Sequence, residues 1–175
     1  MPSEDRRIFI ILAVIFSVFA GYLIWDQINR SVLGGVDVGH KAADFTVQGV
    51  NGSSFTLSDY LGKVVIIDFL ATTCGPCQTQ LDELDLIEPL YEDAVIVSIE
   101  IDPSLPWNDF VDYANLKNVT WFMGHDSSIG QKYKVSYIPT IIIVDEEGNI
   151  VFRDLYTPHT RLKEQLEQIL TAETS

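Results

Sequence analysis

The sequence predicts an α/β fold in which a mixed central sheet carries helices on both faces. Apolar residues make up 47% of the 175 residues, which is enough for a sizeable core. The segments 63–70 and 94–101 are nearly continuous β-branched apolar runs, and such runs are typical of strands buried on both faces. Between and after these runs, apolar residues recur at helical spacing. The resulting order is β-α-β-α-β-α-β-β-α.

Local patterns predict the other elements. Segment 107–116 has apolar residues at i, i+3, i+4 and i+7, which is the pattern of an amphipathic helix. Thr157 and Pro158 are expected to cap the last helix, with proline at its first position. The full set is a hairpin at 45–47 and 54–57, a helical turn at 58–61, a helix that opens at Cys74, a helix at 107–116, a short strand at 120–123, a short helix at 127–133, strands at 140–145 and 149–154, and the C-terminal helix.

Residues 8–25 form a run without a charged side chain, IFIILAVIFSVFAGYLIW. As a helix this run spans about 27 Å, close to the hydrocarbon thickness of a bilayer. It is apolar on all sides, whereas a buried core helix normally has one apolar stripe. We interpret the run as one transmembrane helix that precedes the folded domain. The alternative is a cleaved signal peptide with its cleavage site at Val18-Phe19-Ala20.

Charge predicts the orientation of the chain. Arg6 and Arg7 precede the apolar run, and only Arg30 follows it closely. The positive-inside rule therefore predicts a cytoplasmic N-terminus, with the domain outside the cytoplasmic membrane. The predicted organisation is a cytoplasmic N-terminus at 1–7, a membrane anchor at 8–25, a tether at 26–37 and a domain at 38–175.

The overall charge argues against nucleic acid as a partner. Lys and Arg number 11, Asp and Glu number 25, and the formal net charge is −14. Binding to phosphates needs clustered cations, so no nucleic-acid partner is expected.

Cys74 and Cys77 are the 2 cysteines of the chain, and they form a Cys-x-x-Cys motif that follows a buried strand and opens a helix. At a helix N-terminus, free N–H groups and the helix dipole stabilise a thiolate, so we expect Cys74 to be the nucleophile. Cys77 lies one turn along and is close enough to form a disulfide with Cys74. Gly75 and Pro76 permit the tight turn and start the helix.

Two other interpretations of the cysteine pair are weaker. A static disulfide across two residues closes a very short loop and would stabilise the fold little. A zinc site needs two more ligands, and the three histidines, at 40, 125 and 159, are scattered singly. The pair therefore predicts redox chemistry, with no metal.

Several segments resemble a known family. Segment 64–84, VVIIDFLATTCGPCQTQLDEL, resembles the active-site region of the thioredoxin superfamily, and CGPC is the motif of thioredoxin itself. Segments 39–46 and 57–63 are similar to the lead-in and extra N-terminal hairpin of the redoxin/TlpA branch. Segments 133–140 and 145–151 resemble the family's proline loop and final hairpin. The chain thus resembles membrane-anchored TlpA/ResA-like thiol–disulfide oxidoreductases.

The resemblance implies a thioredoxin-like fold with an N-terminal β-hairpin extension and a central helical insertion at 102–118. It also implies a cis bond between Ile138 and Pro139, packed beside Cys74, with backbone groups at Ile138 that bind an extended substrate strand. The substrate-binding residues implied are Gly75, Pro76, Ile138, Pro139 and Thr140.

Asp68 lies six residues before Cys74, at what looks like the position of thioredoxin's buried acid. A carboxylate inside an apolar strand is costly unless it has a role. The resemblance implies that Asp68 takes the proton of Cys77 during exchange, with its own pKa raised by burial. The alternative is that Asp68 faces solvent at the end of the strand.

Some residues depart from the family pattern. Thr72 and Thr73 stand where the family usually has a Trp before the first cysteine, and Gln80 replaces the Glu that is frequent in members that mature cytochrome c. Cytochrome c maturation is therefore disfavoured. Gly75-Pro76 and Ile138 resemble reducing thioredoxins more than strong oxidants.

The sequence thus predicts a thiol–disulfide oxidoreductase that acts on protein disulfides outside the cytoplasmic membrane, more as a reductant than as an oxidant. Its expected partners are protein thiols and disulfides, a membrane or extracytoplasmic electron donor, and the membrane itself through the N-terminal helix. No cofactor is expected besides the Cys74–Cys77 disulfide.

Two alternative functions remain for a thioredoxin fold. A peroxiredoxin-like antioxidant enzyme would have Pro and Thr where Ile67 and Ala71 stand. A copper metallochaperone would have a wider cysteine pair and a matching histidine.

Overall fold

The computed structural model describes residues 12–22, 36–91 and 93–172. In these residues a five-stranded sheet is accompanied by a separate two-stranded hairpin. The strands are β1 (Thr46–Gln48), β2 (Ser54–Thr56), β3 (Val65–Leu70), β4 (Val95–Glu100), β5 (Phe122–His125), β6 (Thr140–Val144) and β7 (Ile150–Asp154). The α-helices of the domain are α1 (Gly75–Ile87), α2 (Trp107–Lys117), α3 (Ser127–Lys132) and α4 (His159–Ala172), and short 3₁₀ helices span Leu57–Tyr60 and Glu88–Leu90.

The central sheet is mixed, as predicted. Its strand order is β5-β4-β3-β6-β7, with β3 parallel to β4, β4 parallel to β5, and β6 antiparallel to both β3 and β7. The two β-branched runs of the sequence supply β3 and β4, and every residue of β3 is buried. A strand covered on both faces needs apolar residues at successive positions, which explains the lack of alternation in its sequence.

The sheet separates two layers of the core because successive side chains of a strand point to opposite faces. On one face Ile66 and Ile141 pack with Leu84 of α1 and Leu162 of α4. On the other face the sheet packs against α3 and the hairpin. The side chains of that second layer include Ile67, Phe69, Tyr133, Phe45 and Phe55.

A third cluster lies where β3 ends and α1 begins. Leu70 and Cys77 pack there with Phe110 of α2 and Met123 of β5. Helix α2 corresponds to the predicted insertion, and its buried residues cover the end of the sheet that carries the cysteines. The inserted helix therefore contributes one wall of the region around Cys77.

The β1–β2 hairpin confirms the predicted N-terminal extension. It approaches β5 closely, because Gly49 and Gly124 form an isolated antiparallel bridge. A Cβ atom at Gly124 would lie 2.6 Å from Cγ2 of Val47, so this approach requires glycine. The residue after Gly49, Val50, packs against the third cluster, so the hairpin also reaches the cysteine region.

Several element boundaries differ from prediction by one or two residues, and two of these differences have a structural cause. The strand expected at 120–123 lies at Phe122–His125, since β5 takes its register from β4, with Val97 opposite Phe122 and Glu100 opposite His125. Glycine has a low strand propensity, so the local composition did not indicate that the strand continues through Gly124 and His125.

The last helix starts at His159, one residue later than predicted. The Pro158 carbonyl accepts hydrogen bonds from the N–H groups of Arg161 and Leu162, so proline lies just before the helix. The Thr157 hydroxyl donates to the Leu155 carbonyl, and the His159 N–H donates to the Glu83 carboxylate of α1 at 2.8 Å. A carboxylate at a helix N-terminus is favourable, and here it comes from a neighbouring helix.

The predicted anchor at 8–25 falls only partly on described residues. Residues 12–22 are helical and mostly exposed, whereas 8–11 and 23–25 lie outside the described residues, as do the predicted N-terminus 1–7 and 26–35 of the tether. Among the described residues, no helix has both the length and the apolar character needed to cross a bilayer.

Candidate active site at the Cys74–Cys77 disulfide

Cys74 and Cys77 form a disulfide at the start of α1, with their Cα atoms 5.3 Å apart. Cys74 is the N-cap residue, and the Cys77 N–H points at its Sγ atom at 3.2 Å. Cys74 is half-buried, Gly75 and Pro76 are exposed, and Cys77 is fully buried. One sulfur is thus accessible to a partner, and the other is shielded behind it.

The proline loop lies against the accessible cysteine. The Ile138–Pro139 bond is cis, as predicted, and the Ile138 carbonyl oxygen lies 3.9 Å from Cys74 Sγ. Thr140 begins β6, and its hydroxyl donates to the Tyr137 carbonyl at 2.6 Å, which closes the loop on itself. The structure therefore brings together Cys74 and Ile138, which are 64 positions apart in the sequence.

The segment before Cys74 is held from two sides at Thr72. The Thr72 N–H donates to Oε2 of Glu100 at 2.6 Å. Its carbonyl accepts a bond from Nε2 of Gln78 at 3.3 Å, and the same nitrogen donates to the Tyr113 hydroxyl at 2.7 Å. These contacts fix the approach of the chain to Cys74, at the position where Thr72 and Thr73 replace the Trp expected from the resemblance.

Glu100 is a fully buried carboxylate that the sequence analysis missed. Its second oxygen, Oε1, accepts from the Asp102 N–H at 2.8 Å. Burial raises the pKa of Glu100, and the two backbone N–H bonds act in the opposite direction. The signal was present in the sequence, because Glu100 is an acid inside an apolar strand, as Asp68 is.

Asp68 is fully buried, so the alternative in which it faces solvent is wrong. Its Oδ2 atom accepts from the Ser98 hydroxyl at 3.0 Å, and Ser98 Oγ accepts from Trp121 Nε1 at 2.9 Å. Its Oδ1 atom has no hydrogen-bond partner among the described residues. Burial raises the pKa of Asp68 to about 7, while the Ser98 bond acts to lower it.

Asp68 lies on the face of the sheet against which α1 packs. Leu70 follows it by two positions on the same face, and Leu70 packs in one cluster with Cys77. Asp68 also acts on the pKa of Tyr113 of α2, which burial raises to about 12, with a further contribution from the negative charge of Asp68. The carboxyl group therefore lies on the face of the sheet that α1 and α2 cover.

Gln80, noted above as a departure from the family pattern, connects α1 to the segment before α4. Its side chain is fully buried and bonds both backbone groups of Thr157, accepting from the N–H at 2.7 Å and donating to the carbonyl at 3.0 Å. An amide suits this position because it offers one donor and one acceptor. A carboxylate there would leave the Thr157 carbonyl without its donor.

The arrangement supports two-electron exchange of disulfides. It has an accessible sulfur at a helix N-terminus, a shielded sulfur one turn away, and a buried carboxyl whose pKa lies near neutrality. Ile67 and Ala71, at the positions where a peroxiredoxin has Pro and Thr, are buried apolar residues. Among residues 12–22, 36–91 and 93–172, no three His, Cys, Asp or Glu side chains are grouped to hold a metal ion.

Comparison with known proteins agrees with this geometry. Residues 38–153 match the model of the AhpC/TSA family. Over 161 residues the chain is 26% identical to thiol-disulfide oxidoreductase ResA of Bacillus thuringiensis, an alignment that covers 90% of this chain and 87% of that protein.

Solved structures have the same fold. A thiol:disulfide interchange protein DsbE of Chlorobium tepidum is 26% identical, with a TM-score of 0.69 over 77% of this chain and 98% of that one. The exposed lipoprotein thioredoxin Etrx1 of Streptococcus pneumoniae is 25% identical, with a TM-score of 0.64 over 72% of this chain and 99% of that one.

Because Asp68 is buried, we expect the stability of the folded protein to depend on pH. Because the pKa of Asp68 in the folded protein, about 7, lies above its ordinary value of 3.8, the folded state is least stable at pH values above 7 and regains stability as the pH falls towards 4. We expect Asp68→Asn to stabilise the oxidised protein by up to about 4 kcal/mol at pH 8 and by much less at pH 4.5. Denaturant unfolding at both pH values measures this difference. Asp85→Asn, on the exposed side of α1, is the matched control, and an equal effect of Asp68→Asn at both pH values would contradict the prediction.

Proposed function

The chain belongs to the AhpC/TSA family and is a thioredoxin-like thiol–disulfide oxidoreductase, and on this premise we propose that it reduces disulfides of protein substrates outside the cytoplasmic membrane. The observation that carries the proposal is the asymmetry of the cysteine pair. Cys74 is accessible and lies beside the cis-proline loop, whereas Cys77 is buried beneath it. A cysteine pair that exchanges disulfides needs this asymmetry, because one sulfur must be accessible to attack the substrate and the other must stay shielded until it resolves the mixed disulfide.

The proposed reaction passes two electrons from the reduced pair to the substrate. The Cys74 thiolate attacks one sulfur of the substrate disulfide, the substrate S–S bond breaks, and the other substrate sulfur leaves as a thiolate that takes a proton. Cys77 then gives its proton to Asp68 and attacks Cys74 Sγ. The mixed disulfide breaks, the substrate leaves with both sulfurs reduced, and the enzyme carries the Cys74–Cys77 disulfide.

The position of each group supports these roles. The Cys77 N–H points at Cys74 Sγ, and this N–H and the N-terminus of α1 favour a negative charge on that sulfur. Cys77 is fully buried, and burial disfavours a thiolate, so its deprotonation benefits from a base. Asp68 has a pKa near neutrality and therefore accepts and returns a proton with little driving force either way.

The proline loop is suited to bind an extended substrate segment. Ile138 lies before β6, and within 36–91 and 93–172 its N–H donates to no other group. A substrate strand that pairs with this backbone would place its sulfur over Cys74. Gly75, Pro76, Ile138, Pro139 and Thr140 are the proposed substrate-binding residues.

The proposed location and direction rest on the sequence. The uncharged run 8–25 is long enough to cross a bilayer, and Arg6 and Arg7 precede it, which favours an outward-facing domain. The similar Etrx1 protein is described as an exposed lipoprotein. Gly75-Pro76 between the cysteines favours the reducing direction, and electrons would come from a membrane or extracytoplasmic donor.

The first test concerns the nucleophile. In the reduced protein we expect Cys74, isolated in Cys77→Ser, to react with iodoacetamide with a pKa below the free-thiol value of about 8.5, because of the helix N-terminus. Cys77, isolated in Cys74→Ser, should react more slowly because it is buried. Faster reaction of Cys77 would reverse the two assignments.

Reduction of insulin disulfides should be lost in Cys74→Ser. Turnover of hydrogen peroxide or uptake of Cu(I) without activity on insulin would instead indicate the peroxidase or metallochaperone alternative.

The second test isolates the base. Asp68→Asn keeps the shape of the side chain but cannot take a proton, so resolution of the mixed disulfide should slow roughly 100-fold near neutral pH. Formation of the mixed disulfide by Cys74 should change much less. Stopped-flow single turnover with a model disulfide separates the two steps. A resolving rate equal to the unmodified protein's, with Asp85→Asn as the control, would show that another group deprotonates Cys77.

The third test concerns the anchor. If 8–25 spans the membrane, the full chain should stay with membranes after a carbonate wash, and protease added to intact cells should cleave the domain. The double substitution Ile15→Arg and Phe16→Arg should release the protein from the membrane, because charged side chains are costly in the bilayer core. Recovery of a soluble form that begins at Gly21 would instead show cleavage of a signal peptide.

A further inference from the structure

We propose that Trp121 and Ser98 are positioning residues for Asp68, which commit Oδ2 to a fixed hydrogen bond and leave Oδ1 as the oxygen that takes the proton of Cys77. The inference rests on the proposed function, because it assumes that Asp68 is the base. It adds the atom at which the proton is accepted and the two residues that select this atom.

The indole of Trp121 restricts the hydroxyl of Ser98. Trp121 Nε1 lies 2.9 Å from Ser98 Oγ, and an indole N–H is a donor only. The Ser98 hydroxyl must therefore use one lone pair to accept this bond. The orientation of the serine is no longer free, since its proton cannot point towards the indole.

The hydroxyl proton of Ser98 points to Asp68. Ser98 Oγ lies 3.0 Å from Asp68 Oδ2, and in the described residues this carboxylate oxygen is the acceptor of its proton. The bonds thus run in one direction, from Trp121 to Ser98 to Asp68. A proton placed on Oδ2 would meet the serine hydrogen, whereas Oδ1 faces no donor among the described residues. Oδ1 is consequently the more basic oxygen.

The fold holds all three groups in register. Asp68 of β3 and Ser98 of β4 are directly paired in parallel strands, so their side chains share one face of the sheet. Met123 of β5 pairs with Ser98, and Trp121 lies two positions before Met123, in the segment that leads directly into β5. Two adjacent strands and the segment before a third therefore supply the three members.

Among the described residues, three other titratable groups lie on this side of the sheet. Helix α1 contributes Cys77, which packs with Leu70, two positions after Asp68. Helix α2 contributes Tyr113, and β4 contributes Glu100, two pairs beyond Ser98. On the β6 side the paired residue is Ile141. Glu100 is occupied by the N–H groups of Thr72 and Asp102, and the Tyr113 hydroxyl accepts from Gln78. With these two groups occupied, the proposal pairs Oδ1 with Cys77.

The test measures the pKa of the Asp68 carboxyl in the oxidised protein, where both cysteines are in the disulfide. The ¹³C resonance of its carboxyl carbon is assigned by its loss in Asp68→Asn. Ser98→Ala removes the donor to Oδ2, so the pKa should rise by about one unit. Trp121→Phe frees the serine hydroxyl to turn, so the pKa should rise by about half a unit. Ser98→Thr keeps the hydroxyl and should restore the original value.

Kinetics supply a second readout. In Ser98→Ala the low-pH limb of the resolving step should move upward with the carboxyl pKa, which lowers the rate at pH 7 roughly fivefold. A purely structural defect would lower the rate equally at all pH values. Trp107→Phe removes an indole that stacks on His125 and is not the donor to Ser98, so it serves as the control with an unchanged carboxyl pKa.

The outcomes separate this inference from the proposed function. Carboxyl pKa values unchanged in both Ser98→Ala and Trp121→Phe would overturn the inference, and a shift in Ser98→Ala alone would overturn the role of Trp121. Both shifts together with restoration by Ser98→Thr would support it. Failure of the proposed base is read elsewhere, as an unchanged resolving rate in Asp68→Asn.

Discussion

Two buried carboxylates, Asp68 and Glu100, are the constraint around which the cysteine region is built. Burying a carboxylate is costly unless hydrogen-bond donors replace its water. Glu100 receives a backbone N–H on each oxygen, from Thr72 and Asp102, and so it fixes the loop before Cys74. Among the described residues, Asp68 receives a donor on one oxygen only. Two carboxylates buried in adjacent strands thus differ in their hydrogen bonds: Glu100 holds backbone on both oxygens, whereas Asp68 keeps the oxygen to which the proposed mechanism assigns proton transfer.

The site draws its parts from distant segments, and the sheet is what brings them together. The ends of β3 and β4 lie side by side in parallel register, which places Leu70 opposite Glu100 and brings the start of α1 next to the segment after β4. The antiparallel pairing of β6 with β3, from Phe69 opposite Thr140, carries the proline loop to the same edge. Redox chemistry at Cys74 therefore depends on strand register, and a one-residue slip of β6 would move Ile138 away from the nucleophile.

Much of the fold and the centre of the site could be predicted because their signals are local. The runs that form β3 and β4 are continuous, and the Cys-x-x-Cys motif marks both a helix start and its chemistry. Ser98 and Trp121 could not be predicted as members of the site. A serine and a tryptophan in apolar surroundings carry no local signal, and the bonds that link them to Asp68 form only when β3, β4 and the segment before β5 come together. Glu100 lies between these cases, since its burial was readable from the sequence but its two backbone partners were not.

The hydrogen bonds between α1 and the start of α4 can form only late in synthesis of the chain. Gln80 holds Thr157 across 77 positions, and Glu83 holds the His159 N–H across 76. During synthesis the N-terminus leaves the ribosome first. Both cysteines are therefore made before Thr157 and His159, which anchor their helix, and roughly half of the domain separates the two. A polypeptide halted before residue 157 would contain the whole redox motif on a helix without these contacts. The Cys-x-x-Cys motif is thus synthesised early, whereas the hydrogen bonds that hold its helix to the segment at the start of α4 can form only after residues 157–159 are made.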